Sequence, residues 1–179
     1  MRPTSPATLA LGLAVGAVLR LLRMGVRWDE LTLAYAAYSE PLARSVEEGH
    51  PTALIGNWIG LHPPLHGVIH AVTEVLWPAP FLWLFFSVLC SFGAVFIVGR
   101  TAGPLAALVL ATAPVHVIDA AEVNNYPLAS LAVAVLLWAA RRDWRWLAAA
   151  AVFAGWSHIL GGLAAVGVVG WRWRARKGW

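Results

Sequence analysis

FLWLFFSVLCSFGAVFIVG, residues 81 to 99, decides the fold. The stretch carries no charge, and at 1.5 Å rise per residue a helix over it is about 29 Å long, close to the roughly 30 Å of a bilayer's hydrocarbon core. The rest of the chain agrees with a membrane setting. Of 179 residues, 60% are hydrophobic and 12% charged, whereas soluble domains are about 25% charged. Mean hydropathy is +0.69. Residues 7–19 are a further uncharged run, 103–118 and 127–140 become spans with a few flanking residues, and 146–171 is a longer run containing Gly155 and Gly161-Gly162. The expected fold class is all-α, a polytopic transmembrane helical bundle of about five or six membrane helices, forming a single domain over 1–179.

Met1-Arg2 followed by an apolar run has the general form of a signal peptide. The run ends in Arg20-Leu21-Leu22-Arg23 and not in a small-x-small cleavage site, so it reads as a retained helix. The single cysteine, Cys90, lies inside the 81–99 run and excludes an intramolecular disulfide.

Charge placement orients the spans, because Lys and Arg in short loops favour the cytoplasm. With the N-terminus inside the cell (inner) membrane, Arg2, Arg100, Arg141, Arg142, Arg145, Arg172, Arg174, Arg176 and Lys177 all become cytoplasmic. The net charge of +4 is then a topology signal, and nucleic acid is not an expected partner. Segment 7–24 crosses outward, 81–99 returns, 103–118 crosses outward and 127–140 returns. For 146–171, a hairpin of two short half-helices bent at Ser157 to Gly162 keeps the basic tail inside. Residues 25–80 form a large first outer loop whose stretches 30–48 and 65–77 suit interfacial helices. Residues 119–126 form the second outer loop. Trp28, Trp58, Trp77 and Trp83 fall where interfacial anchors belong.

Eight of the nine acids then lie in the outer loops: Asp29, Glu30, Glu40, Glu47, Glu48, Glu74, Asp119 and Glu122. Glu40, Glu47 and Glu48 read as solvated surface. Asp29, in Trp28-Asp29-Glu30, directly follows the first helix, where a partly desolvated carboxylate can serve as a base or a metal ligand. Arg20, Arg23 and Arg27 share roughly one helical face near the outer end of that helix. They either snorkel to lipid headgroups or hold a phosphate with the guanidinium fork.

In LHPPLHGVIHAVTEV, residues 61–75, His66, His70 and Glu74 recur every four residues behind Pro63-Pro64, with His62 just before them. That spacing offers either a divalent metal site or a polar stripe at the interface. In VIDAAEVNNYPLAS, residues 117–130, Asp119, Glu122, Asn124, Asn125 and Tyr126 exceed what a plain turn requires. His116 and His158, inside apolar runs, either face a cavity or are satisfied buried histidines.

These three blocks in this order resemble the N-terminal half of the GT-C membrane glycosyltransferases. That class includes protein O-mannosyltransferases, the lipid A aminoarabinose transferase and the catalytic subunit of oligosaccharyltransferase. The likeness covers about residues 7 to 170 and rests on Trp28-Asp29-Glu30, His62-Pro63-Pro64-Leu65 and Asp119 to Tyr126. It implies a transferase moving a sugar from a polyprenyl-phosphate-linked donor to an acceptor at the outer face. It implies Asp29 as the acid/base position with Glu30 beside it, and donor phosphate near Arg20, Arg23 or Arg27. His62, His66, Asp119, Glu122, Asn125 and Tyr126 would line the cavity. A divalent metal is left open. Members of the class are much longer, so the expected forms are a truncated copy, half of a split enzyme with a second membrane subunit, or a reduced relative. The rival expectations are a non-catalytic membrane subunit and a small transporter or lipid-binding protein.

Overall fold

Proline punctuates this chain. In the computed structural model, which describes residues 6–26, 48–50, 64–77, 80–121 and 125–176, helices α1 (Pro6–Val26), α2 (Pro64–Leu76), α3 (Pro80–Ala102), α4 (Pro104–Thr112) and α5 (Pro114–Ala120) each begin on a proline. The first turn suits proline because its absent N–H would have no intrahelical partner there and its φ is already helical. Helix α6 (Tyr126–Ala139) has Pro127 at its second position. It is followed by α7 (Trp144–Ser157) and α8 (Ile159–Arg176). Among the described residues all regular structure is helical, as the apolar pattern predicts.

The run 103–118 is not one span. It divides at Ala113, with φ −58° and ψ 122°, into α4 and α5. Pro114 has no N–H for the Leu110 carbonyl and pushes the residue before it into extended conformation. Hydropathy alone passes over this break, since Ala113 and Pro114 are as uncharged as their neighbours.

Helix α3 is central, packing along α6 on one side and α4 on the other. Helix α1 lies along α4 through Gly12 and Gly16. A Cβ at Gly16 would sit 3.1 Å from Ala111 Cβ, so the close approach depends on glycine. Leu13 joins Val95, Ala107 and Ala111 in the core where α1, α3 and α4 meet. A second core joins α6, α7 and α8 through Leu136, Leu147, Ala150, Ala154 and Ala165.

The chain reverses between α7 and α8 within one extended residue, His158 (φ −165°, ψ 151°). This is the expected bend, but the arms are longer than half-helices. Helix α7 has 14 residues and α8 has 18. Asp143 starts α7 early by accepting from Arg145 N at 2.9 Å and Trp146 N at 3.1 Å. At the far end of the hairpin Arg172 donates to the carbonyls of Ala140 and Arg142, and Trp173 meets Trp144 edge to face. At the bend, a Cβ on Gly161 would lie 2.3 Å from the Ala154 carbonyl oxygen, so the arms touch backbone to backbone.

Among the described helices only α3 is long and apolar enough to cross a membrane, over Leu84–Ala102. Helix α6 is apolar but has 14 residues. Stretch 65–77 forms α2, as its amphipathic pattern predicts, whereas 30–47 lies outside the described residues. The expected second outer loop, 119–126, is shorter than its composition suggests. Asp119 belongs to the last turn of α5, Asn125 is the N-cap of α6, and Tyr126 is already helical.

With α4 and α5 taken as one arm, α1 and α3 to α8 alternate in direction, giving the bundle two ends. One gathers the C-terminal end of α1, the start of α3, the α5–α6 junction and the α7–α8 bend. The other gathers the α3–α4 and α6–α7 junctions and the C-terminal end of α8.

Candidate functional site

The polar interior begins at Arg20. Its side chain is completely buried, although position 20 on an apolar helix suggests a headgroup-facing arginine. The stripe Gly12, Gly16, Arg20 explains this: glycine every four residues brings α4 close, and the next residue on that face points inward. Arg20 Nε donates to Ser91 Oγ on α3 at 2.9 Å. Its Nη1 donates to Gly16 O at 2.8 Å and to Ala111 O at 2.9 Å. Ala111 lies in the last turn of α4, where the break before Pro114 leaves carbonyls without helical partners. A cation is favoured there because those carbonyls carry the negative end of the helix dipole. The guanidinium also lies over the Phe92 ring, 5.3 Å from its centroid.

Ser91 carries the network onward, its Oγ lying 3.0 Å from His116 Nε2. His116 is buried on α5, so four helices converge on one chain of polar groups: Arg20, Ser91, His116 and the Ala111 carbonyl. Of the two readings of His116, cavity-facing or satisfied and buried, the Ser91 contact fits the second. Ser87, one turn before Ser91 on the same face of α3, is buried too. Arg23, one turn beyond Arg20, is half-buried.

A second polar group lies at the same end. Asn125 and His158 are buried, and the Tyr126 and His158 rings stand 5.2 Å apart. His158 Nδ1 accepts from Leu160 N at 3.1 Å, which fixes its ring across the bend. Asp119 is half-buried one turn after His116. The end of α1, His116, Asp119, Asn125, Tyr126 and His158 thus share one end of the bundle. Arg100, Arg141, Arg142, Arg145, Arg172 and Arg174 occupy the opposite end.

Of the residues expected from sequence, Asp29, Glu30, Arg27, His62 and Glu122 lie outside the described residues. His66 is half-buried on α2, where His70 and Glu74 also fall. Among the described residues no group of three or more His, Cys, Asp or Glu side chains could hold a metal ion. The sequence reading missed Ser87 and Ser91. Their spacing of four inside an apolar helix was the available signal, because buried hydroxyls need partners. Comparison with protein-family models, curated proteins and solved structures found no match to this chain.

Proposed function

We propose that this chain is a multi-pass membrane glycosyltransferase module of the GT-C type. In this reading it moves a sugar from a polyprenyl-phosphate-linked donor to an acceptor at the outer face of the cell membrane. The observation that carries the proposal is the segregation of polar groups. Arg100, Arg141, Arg142, Arg145, Arg172 and Arg174 collect at one end of an apolar bundle, while histidine, acid and amide groups lie at the other together with Arg20 and Arg23. The arginine end suits the cytoplasm. The other end is the one at which α1 closes with Val26, three residues before Asp29 in sequence, and at which α3 begins.

In this reading α1, α3, α4 with α5, α6, α7 and α8 each cross, and exposed apolar residues such as Phe85, Phe96, Val109, Leu163 and Val166 face lipid. Non-helical backbone at membrane depth is tolerated only where protein covers it. The hydrogen bond from Arg20 to the Ala111 carbonyl is such cover at the α4–α5 break. Helix α6, at about 21 Å for its 14 residues, is shorter than the core and leans on interfacial flanks such as Trp138 to reach across.

Asp29 takes the proton of an acceptor hydroxyl as its oxygen attacks the anomeric carbon. The sugar–phosphate bond breaks with its electron pair leaving on the phosphate, and the anomeric centre inverts. Glu30, His62, His66, Asp119, Glu122, Asn125 and Tyr126 bind and orient the reactants. A divalent metal would screen the leaving phosphate if one is held. The deciding experiment is transfer from a polyprenyl-phosphate sugar by the chain reconstituted in proteoliposomes. Transfer that vanishes in Asp29→Asn supports the reading. Wild-type proteoliposomes that release no sugar to any acceptor overturn it.

A further inference from the structure

The arginine end of the bundle holds more cations than its own fold uses. Two of them have structural work. Arg141 donates to the carbonyl of Thr101 near the end of α3, and Arg172 donates to the carbonyls of Ala140 and Arg142 in the α6–α7 junction. Such carbonyls have no intrahelical partner and carry the negative end of the helix dipole. Arg100, Arg142, Arg145 and Arg174 are exposed, and among the described residues none of the four side chains has a carboxylate or carbonyl partner. Residues 99–118 and 138–179 contain one acid, Asp143, and its carboxylate accepts from the backbone of α7.

Tryptophans join these cations into one band. The Arg142 guanidinium lies 5.0 Å from the centroid of the Trp138 ring, and Trp138 meets Trp146 edge to face at 6.0 Å. Arg172 lies 5.6 Å from Trp144, which meets Trp173 at 6.3 Å. The bond from Arg172 to the Arg142 carbonyl links the two halves. The helices then grade in the same sense towards this end. Along α8 the exposed side chains run from Leu163 and Val166 through Trp171 and Trp173 to Arg174, and along α7 from Trp156 and Val152 back to Trp146 and Arg145. Apolar, then indole, then guanidinium is the order met on passing from acyl chains into headgroups. A soluble acidic partner would meet the arginines but leave the apolar part of those same faces uncovered.

We propose that this end of the bundle is a seat for anionic phospholipid headgroups. Arg142, Arg145 and Arg174 meet the phosphates, while Trp146, Trp171 and Trp173 set the depth of the helices in the leaflet. It is a surface that meets several headgroups and not a pocket for one. Selectivity comes from charge: a zwitterionic headgroup brings its own cation beside each phosphate, and an anionic one does not. Each arginine near such a surface strengthens the attraction about fivefold. The seat stands on the multi-pass reading alone and asks nothing of sugar chemistry, so it goes beyond the transferase reading.

The test is native mass spectrometry of the purified full chain, released from micelles holding equal amounts of phosphatidylglycerol and phosphatidylcholine with matched acyl chains. Wild type is expected to retain phosphatidylglycerol at least fivefold over phosphatidylcholine. In the double variant Arg145→Gln/Arg174→Gln the preference is expected to fall towards parity, and in Arg145→Lys/Arg174→Lys to persist, because lysine keeps the charge. Neither side chain has a partner among the described residues, so helicity and unfolding temperature are expected to match wild type in both variants. Equal retention of the two lipids by wild type, or an unchanged preference in the glutamine variant, overturns the seat. A lysine variant that falls as far as the glutamine variant overturns the electrostatic basis given for it. Displacement of phosphatidylglycerol by soluble polyglutamate at equal charge concentration assigns the arginines to a soluble acidic partner and overturns it too. Selective retention by a chain that transfers no sugar leaves the seat standing and overturns the transferase reading alone.

Discussion

Arg20 and Ser91 stand 71 residues apart in sequence and 2.9 Å apart in space, guanidinium Nε to hydroxyl oxygen, with the arginine completely buried. The contact ties the first helix to the central one and holds Ser91 against His116.

Ser91→Ala is expected to destabilise the folded chain by about 1–3 kcal/mol, because it strands Arg20 Nε in the interior. Adding Arg20→Met removes the stranded group and is expected to recover part of the loss, since an apolar side chain of similar volume needs no partner. Denaturant unfolding of the two single variants and the double variant checks this. Losses that simply add would show that the two residues do not interact.

The α7–α8 bend tolerates no side chain at position 161. Gly161→Ala is expected to cost about 1–3 kcal/mol by forcing the arms apart at the Ala154 carbonyl. Gly167→Ala, on the same helix with open space around it, is expected to stabilise by up to about 1 kcal/mol through helix propensity. Thermal unfolding of the pair in one detergent is the comparison, and equal effects would argue against the close backbone contact.

Asp143 holds the start of α7 through two backbone N–H groups. Asp143→Ala is expected to cost about 1 kcal/mol, and Asp143→Asn much less, because the amide oxygen still accepts. Hydrogen exchange at Arg145 and Trp146 localises the effect: it is expected to quicken in Asp143→Ala and to change little in Asp143→Asn.

Single cysteines introduced at Glu48 and at Arg174 test the proposed orientation in intact cells, the buried native Cys90 staying silent. A membrane-impermeant thiol reagent is expected to label position 48 and to spare position 174 until the membrane is opened. The reverse pattern would invert the topology and move the acid motif to the cytoplasm.

Asp29→Asn is expected to lower sugar transfer by about 10²–10⁴-fold, the usual contribution of a general base. Donor binding is expected to persist. Transfer measured beside binding separates the two, and an unchanged rate would remove Asp29 from the chemistry.

How much of this was legible in sequence differs by element, for physical reasons. Helix α3 was plain because nothing interrupts residues 81–99, and α6 nearly so. The reversal near Ser157 to Gly162 followed from where the charges of the tail had to go. The division of 103–118 was missed because hydropathy weighs Pro114 as one more uncharged residue, whereas its effect is on the backbone. Arg20 was read, from its place near a helix end, as either snorkelling to lipid headgroups or holding a phosphate. Its burial is set by Gly12 and Gly16, which let α4 approach and so decide which face of α1 is interior. Ser87 and Ser91 carried no motif at all. Their meaning depends on which helix faces them, and that is a property of the packing.

The order of synthesis gives the buried arginine a further meaning. Ser91 is made 71 residues after Arg20 and Ala111 a further 20 residues later. Over that interval the only acceptor of the three within reach is Gly16 O, on its own helix. Helix α1 therefore waits for two helices made after it before its buried arginine is fully held. Until Ser91 is made, the guanidinium of α1 has among these three partners only a carbonyl of its own helix.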